Sequence, residues 1–388
     1  MEYKNQRCTK GIWDQTVPGI IFSPNGSSNY SSIFENMVSQ YPRGEKGLED
    51  FNKLVHEIKS KGKNKTYDCI IGVSGGTDSS YLMHIAKTVY NLNPLAVTFD
   101  NGWSSDIAVK NIKKVTSALN IDLETYVVDY EEMKDILKSY MKASLPWIDF
   151  PTDYAIKSIL YRLANREKIK YILIGHDFRS EGTQPNEWTY GDAKQLKYIQ
   201  KKFGEKKLKS FPNISFIEHI YLAYFKKIKM VYPFFFLNYK KSDAQEFLID
   251  KYNWEYYGGH HHENTFTKYA IAYWMTKKHN IDKRLITLSA QIMSGEITRV
   301  EALDQISKPP YDLHKIEQEK KYIIKKLGFS NDEYEEIWNR PNKSFKDYPS
   351  YFQRIVRIAK IIKPLIKFIM PQLPSFFFQL EARKEVSE

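Results

Sequence analysis

From Tyr67 to Asp177 the chain alternates between two hydrophobic periods. Short apolar runs, DCIIGVS, PLAVTFD, LETYVVD and YILIGHD, have the length and β-branched content of buried strands. Between them, in SSYLMHIAKTVY, SDIAVKNIKKVTSALN, YEEMKDILKSYM and YAIKSILYRLANREK, apolar residues recur every three or four positions, as on one face of a helix. This alternation predicts an α/β fold, a doubly wound and mainly parallel sheet with crossover helices. In such a sheet ligands gather beyond the carboxyl ends of the strands, so SGGTDSS, DNGW, DYEE and GHDFRSEG are the stretches to inspect. The first forty residues are turn-rich (Pro18, Gly19, Pro24, Asn25, Gly26) and lack a long apolar period, so they are expected to form a small appended unit with a thin core. Beyond Lys194 the pattern is basic, aromatic and mostly helical, with no internal repeat.

Composition narrows the class. The 388 residues suffice for one large core with additions, 42% are hydrophobic and 27% charged, and no run approaches the roughly 18 apolar residues of a membrane span. The net charge of +12 admits a nucleic-acid binder, a membrane-surface protein or an enzyme of anionic substrates. Between Tyr351 and Leu380 stand Arg354, Arg357, Lys360, Lys363 and Lys367 with no acidic residue, so part of the excess belongs to the tail. Cys8 and Cys69 cannot form a disulfide framework, and the start MEYKNQRCTK has no apolar signal core, which points to the cytoplasm.

The stretch IIGVSGGTDSSYL reads as strand, glycine pair, hydroxyl residues and helix. Gly75 and Gly76 allow successive N–H groups to turn into one concavity suited to phosphate oxygens. The following helix adds its N-terminal N–H groups and dipole, while Ser74, Thr77, Ser79 and Ser80 can donate hydroxyl hydrogens. Asp78 would repel a phosphate unless a cation intervened, so it is the expected Mg²⁺ ligand. The Walker pattern is absent.

SGGTDSS resembles the SGGxDS loop of the PP-loop ATP pyrophosphatases. The resemblance implies ATP as cosubstrate, Ser74, Gly75, Gly76, Thr77, Asp78 and Ser79 as pyrophosphate ligands, and attack on the α-phosphate. LAVTFDNGW (95–103), LPWIDFPTDYAI (145–156), WEYYGGHHHENTFTKY (254–269), IDKRLITLSAQIMSGEITRVEAL (281–303) and KSFKDYP (343–349) resemble the N-acetyl sugar amidotransferases of surface-polysaccharide and nonulosonic-acid biosynthesis. The implied organisation is an N-terminal unit (1–40), a PP-loop ATP-binding domain (41–245), a helical substrate or partner region (246–350) and a basic amphipathic tail (351–388). Members of that family often begin with four cysteines resembling a zinc ribbon. Here Cys8 remains, but Gly11, Ser28 and Ser31 stand at the other three positions, so the unit is degenerate. One thiolate cannot hold tetrahedral zinc, so no zinc is expected there, and packing by Trp13 and Phe22 must hold the segment.

The same resemblance places Asp100 near the nucleotide. Gly175, His176 and Asp177 end a later strand on the same edge. His176 is a candidate donor to a phosphoryl or imidate oxygen, and Asp177 a candidate base or Mg²⁺ ligand; helix capping is the alternative. At most two histidines of the run His260–His262 can converge on one metal and HExxH spacing is missing, and the likeness instead assigns His261, Glu263 and Lys268 to the sugar or to shaping its pocket. Arg162, Arg179 and Arg284 are candidate clamps for an anionic group.

The expected function is an ATP-dependent, AMP-forming amidotransferase that converts the acetamido group of an N-acetyl sugar into an acetamidino group in lipopolysaccharide, O-antigen or nonulosonic acid biosynthesis. Neither cysteine is placed as a glutaminase nucleophile, so ammonia is expected from a separate glutaminase subunit with a cyclase-like companion, as the family resemblance suggests. A tRNA-modifying enzyme and a non-catalytic scaffold are the alternatives, with nucleic acid disfavoured. The tail, as a basic amphipathic helix bent near Pro364, suggests peripheral contact with the inner face of the membrane through 351–380, or docking on a partner or on the protein's own core.

Overall fold

A computed structural model describes residues 6–259, 262–369 and 375–382. Its centre is a five-stranded sheet of β1 (Cys69–Gly72), β2 (Pro94–Asp100), β3 (Leu123–Val127), β4 (Tyr171–Leu173) and β5 (Lys229–Val231). The order is β3-β2-β1-β4-β5 and every pairing is parallel. Alternating side chains explain why β1, β4 and the first half of β2 are apolar on both faces. Cys69 and Ile71, Ala96, Tyr171 and Leu173 enter one core, while Ile70, Leu95, Val97 and Ile172 enter the other. Helices therefore cover both faces, and the doubly wound expectation holds.

The crossover helices begin where the sequence supplies caps. Ser105 accepts from the Ala108 N–H ahead of helix Asp106–Leu119, and Asp129 accepts from Glu131 and Glu132 ahead of helix Tyr130–Lys142. The chain builds β1, β2 and β3 in one direction and then returns to add β4 and β5 on the other side of β1. Connections diverge between β1 and β4, which opens a crevice beyond their carboxyl ends.

Three features depart from the sequence-based picture. The edge strand β5 is three residues inside FKKIKMVYP, too short to show a period. The N-terminal segment contains helix Asn29–Gln40, which buries Tyr30, Ile33, Phe34 and Met37 at helical spacing. Ser28 and Ser31 nucleate it: the Ser28 side chain caps the helix, and Ser31 Oγ donates to the Ser28 carbonyl at 2.6 Å. Cys8, Ile12, Trp13 and Val17 join the same core as the sheet, with Phe22 packed against it, so the thin separate core is corrected to a shared one. The reason is long-range stitching. The Ile12 N–H donates to Ser289 Oγ at 2.9 Å, and the Arg299 guanidinium donates to the carbonyl of Cys8 at 2.6 Å and to that of Gly11.

The third departure is the tail. Helix Phe352–Ile369 continues past Pro364, and helix Ser375–Ala382 returns to pack on helix Asn29–Gln40. Phe377 and Phe378 are buried there, and Gln379 exchanges hydrogen bonds with Gln184 and Asn186. This end of the 351–380 segment faces the protein itself. Among the described residues no helix is long and apolar enough to cross a membrane.

Removing the Arg299 donors would strand partly buried carbonyls, so Arg299→Met is expected to destabilise the protein by about 1–3 kcal/mol in urea unfolding. Limited proteolysis within residues 6–28 should accelerate in parallel. Unchanged stability would mean that burial of Ile12 and Trp13 alone holds the segment.

Candidate functional site

The loop leaving β1 is fixed by steric contact on two sides. Gly75 has φ +81°, and a Cβ there would stand 2.3 Å from the Ala108 carbonyl oxygen. A Cβ on Gly175, just past β4, would stand 2.8 Å from the Asp78 carbonyl carbon. Glycine at both positions lets the loop seat between helix Asp106–Leu119 and the exit of β4, with helix Thr77–His84 starting directly behind it. The Trp254 indole N–H donates to the Gly75 carbonyl at 3.2 Å, and the Ser74 N–H donates to Ser79 Oγ at 3.3 Å.

A cavity of about 490 Å³ opens in front of this loop at the β1–β4 crevice. Ser74, Gly76, Asp78 and Ser79 line one side, and Gly175 and His176 close it past β4. Asn101 and Thr98 enter from β2 and its exit, and Thr152 and Asp153 from helix Phe150–Arg166. Glu263, Asn264 and Thr267 complete the wall. They are held there by backbone bonds to the β2 exit, from the Ser105 N–H to the Glu263 carbonyl at 2.8 Å and from the Thr265 N–H to the Trp103 carbonyl at 2.9 Å.

Charge inside the cavity is organised around Asp78. Its Oδ2 accepts from Lys241 Nζ at 2.8 Å and its Oδ1 from the Tyr239 hydroxyl. Burial alone would lower the Lys241 pKa, but Asp78 and Glu181 outweigh it and hold the amine well above its ordinary value, so it stays an ammonium. Glu181 also binds His176 Nδ1 at 2.6 Å. Burial pulls His176 down, and the charge and hydrogen bond of Glu181 outweigh it, raising the imidazole above its usual 6.5. Glu263 Oε1 accepts from Ser74 Oγ at 3.2 Å, and the Tyr257 hydroxyl accepts from the Thr77 N–H at 3.3 Å.

Several sequence-predicted residues take other roles. Asp177 is fully buried, paired with Arg43 at 3.1 Å and capping the Arg179 N–H, so it braces the β4 exit and does not line the cavity. Arg179 is also buried, donating to the carbonyls of Phe235 and Tyr41; with burial dominant, its pKa falls to about 10. Arg162 pairs with Glu218 at 2.8 and 3.0 Å, Arg284 with Asp282, and Lys268 with Glu319, all away from the lining. Asp100 accepts from the Gly102 N–H at 2.9 Å as a turn former, and Asn101 lines the cavity in its place. His261 lies outside the described residues. Gly75 and Thr77 shape the loop from behind, Thr77 Oγ1 accepting from Gln245 at 3.2 Å.

Asp78 is the loop's single carboxylate and is already engaged by Lys241 and Tyr239, and no group of three or more potential metal ligands occurs among the described residues. The residues present do not form a magnesium cage, and Lys241 is the fixed cation of the site. Cys69 is buried within β1, where burial pushes its thiol far up, and Cys8 is buried in the N-terminal segment. Lys241, Tyr239, Tyr257 and Glu181 were not singled out from sequence. Glu181 and Tyr257 fall inside stretches that were, whereas one lysine of the pair in NYKKSDAQ carries no signal.

The His176–Glu181 pair has a defined pH signature. Because folding raises the imidazole pKa, its stabilisation is fully present below the unfolded value and is lost as pH rises through the folded one, above 6.5. His176→Gln is therefore expected to cost stability on the acid side of that range and to match the wild type on the alkaline side, measured by urea unfolding across pH.

Residues 263–361 match the family described as LPS biosynthesis protein WbpG-like, C-terminal domain. An uncharacterized protein of Methanocaldococcus jannaschii is 28% identical over 144 residues, covering 36% of this chain and 49% of that protein. The chain thus spans about half the length of the curated relative it matches. Among solved structures, it is similar to U34-tRNA thiolase NcsA from Methanococcus maripaludis, with 14% identity, TM-score 0.32, and coverage of 80% of this chain and 91% of that one. It is also similar to NH3-dependent NAD synthetase from Campylobacter jejuni, with 15% identity, TM-score 0.31, and coverage of 81% and 98%. NMN synthetase from Francisella tularensis gives 15% identity, TM-score 0.28, and coverage of 60% and 94%. The segment that brings Glu263, Asn264 and Thr267 to the cavity is therefore the start of the stretch similar to the WbpG-like C-terminal domain of LPS biosynthesis proteins, set against a parallel α/β sheet whose strand ends supply the rest of the site.

Proposed function

We propose that the protein is an ATP-dependent, AMP-forming amidotransferase that replaces the acetamido oxygen of an N-acetyl sugar with ammonia nitrogen during surface-polysaccharide biosynthesis, on the cytoplasmic side of the membrane. The observation that carries this reading is the two-ended cavity. One end is the SGGTDS loop with a partly buried ammonium, suited to phosphates; the other is walled by amide, hydroxyl and carboxylate groups, suited to sugar hydroxyls. The family match of the second wall to LPS biosynthesis proteins agrees with a saccharide there.

An amide carbonyl is a weak electrophile with a poor leaving group. In the proposed reaction the acetamido oxygen attacks the α-phosphorus of ATP, the bond to the β-phosphate oxygen breaks, and pyrophosphate leaves. Ammonia then adds to the imidate carbon, loses its extra proton, and AMP departs with the former amide oxygen. The loop N–H groups and the hydroxyls of Ser74 and Ser79 receive the pyrophosphate charge, and Lys241 exchanges Asp78 for a phosphate oxygen. The weak Thr77–Tyr257 bond is replaced by a shorter one to phosphate. His176, whose imidazole Glu181 biases toward the protonated form, donates to the oxygen on which negative charge grows. Buried Cys8 and Cys69 leave no thiol to hydrolyse glutamine, so a separate glutaminase subunit, with a cyclase-like companion, supplies the ammonia.

Pure protein incubated with Mg·ATP, ammonium chloride and a panel of N-acetyl sugars is expected to release AMP and pyrophosphate, with a product lighter by the exchange of oxygen for NH. Lys241→Ala should lower kcat/KM roughly a hundred- to a thousandfold, as loss of one charge-stabilising donor does elsewhere. AMP formation with tRNA and with no sugar would sink the proposal.

A further inference from the structure

Two adjoining elements expose apolar side chains that a helix ordinarily turns inward. Helix Phe216–Ile220, opened by a capping box of Ser215 and Glu218, runs directly into the wide helical turn Tyr221–Phe225. Of these residues only Leu222 is buried. Ile217 is 78% exposed, Phe225 75% and Tyr224 66%, and Tyr221 is exposed beside them. The positions 217, 221, 224 and 225 recur at helical spacing, so one face carries all four side chains into solvent. A single exposed apolar residue needs no explanation; a contiguous row does.

The row continues at the tail. The Tyr351 ring lies 5.3 Å from that of Phe216, which starts helix Phe352–Ile369 alongside. That helix exposes Ile358 and, at 74%, Ile361, interleaved with exposed Arg354, Arg357 and Lys360. At the far end of the first element, Lys226 lies over the Tyr221 ring at 5.4 Å and is followed by exposed Lys227. Glu218 is tied to Arg162, and residues 351–369 contain no acid. Exposed aliphatic and aromatic groups are thus rimmed by cations.

We infer that 216–227 and the first turns of helix Phe352–Ile369 form a docking face for an anionic lipid bilayer. Aromatic and isoleucine side chains enter the headgroup boundary, while arginine and lysine pair with lipid phosphates, each cation adding to the attraction. Charge selects this occupant over a second copy of the chain, since a twofold pairing of the face would set Arg354 and Arg357 against their own images. Nucleic acid would leave the isoleucines without a partner. The face differs from the 351–380 segment expected from sequence, because helix Ser375–Ala382 is packed on the protein.

The experiment is co-sedimentation of the full chain with vesicles of phosphatidylethanolamine and phosphatidylglycerol, and with vesicles of phosphatidylcholine alone. Two variants accompany the wild type, Ile217→Ser with Phe225→Ser, and Arg354→Glu with Arg357→Glu. All four positions are exposed and outside the cavity, so melting temperature should stay unchanged. The wild type is expected to bind the anionic vesicles and not the neutral ones, with added salt weakening the binding. The charge-reversed variant should lose roughly thirtyfold or more in partition, and the apolar variant should also lose binding. Wild-type protein remaining in solution with anionic vesicles, or either variant binding like the wild type, would overturn the inference. So would a concentration-dependent dimer that the same variants dissolve while vesicles capture nothing, which would assign the face to self-association.

Discussion

Everything at the site depends on how closely three pieces of backbone approach one another. The loop after β1 touches the Ala108 carbonyl through Gly75, and the β4 exit touches the first turn of helix Thr77–His84 through Gly175. Neither approach leaves room for a side chain, so the start of that helix and the two strand ends are locked in register. The crevice this creates is where the sheet's connections diverge, and an N-terminal helix dipole points into it. The fold has therefore built an anion-favouring corner before any charged side chain is considered.

The side chains then balance that corner. Asp78 sits in the first turn of the helix, where a carboxylate is favoured, and Lys241 and Tyr239 neutralise it from the segment that follows β5. His176 and Glu181 form a second balanced pair across the opening, and Glu263 reaches Ser74 from the start of the stretch that matches the WbpG-like family. The Lys241 ammonium and the Tyr239 hydroxyl thus offset the Asp78 carboxylate at the mouth of the loop. The opposite wall, with Asn101, Thr152, Asn264 and Thr267, is built mainly from amide and hydroxyl groups.

Much of this was legible from residue patterns, and the exceptions have physical causes. Strands β1, β2 and β4 read correctly because, with two helical layers, central strands are apolar on both faces; β3 is an edge strand marked by its β-branched and aromatic residues, and β5 is a three-residue edge that leaves no such trace. The glycine loop is recognisable because its chemistry is local, six successive residues. Lys241 and Tyr239 reach Asp78 from more than 160 positions away, a separation that only the tertiary fold reveals. Asp177 and Arg179 show the converse error. They stand at a strand end, where functional residues gather, yet the same position lies under the N-terminal segment, and burial there turned both charges into internal braces with Arg43, Tyr41 and Phe235. The N-terminal helix leaves a faint period because Ser31, Ser32, Asn36 and Ser39 dilute its apolar positions.

The most direct measurement is a calorimetric titration of the protein with ATP, alone and in the presence of pyrophosphate, beside a titration with AMP. If the loop at Gly75 is the seat of a leaving pyrophosphate, ATP binds, pyrophosphate competes for the same site, and AMP binds far more weakly. AMP binding as tightly as ATP, or ATP binding that pyrophosphate leaves untouched, would contradict it.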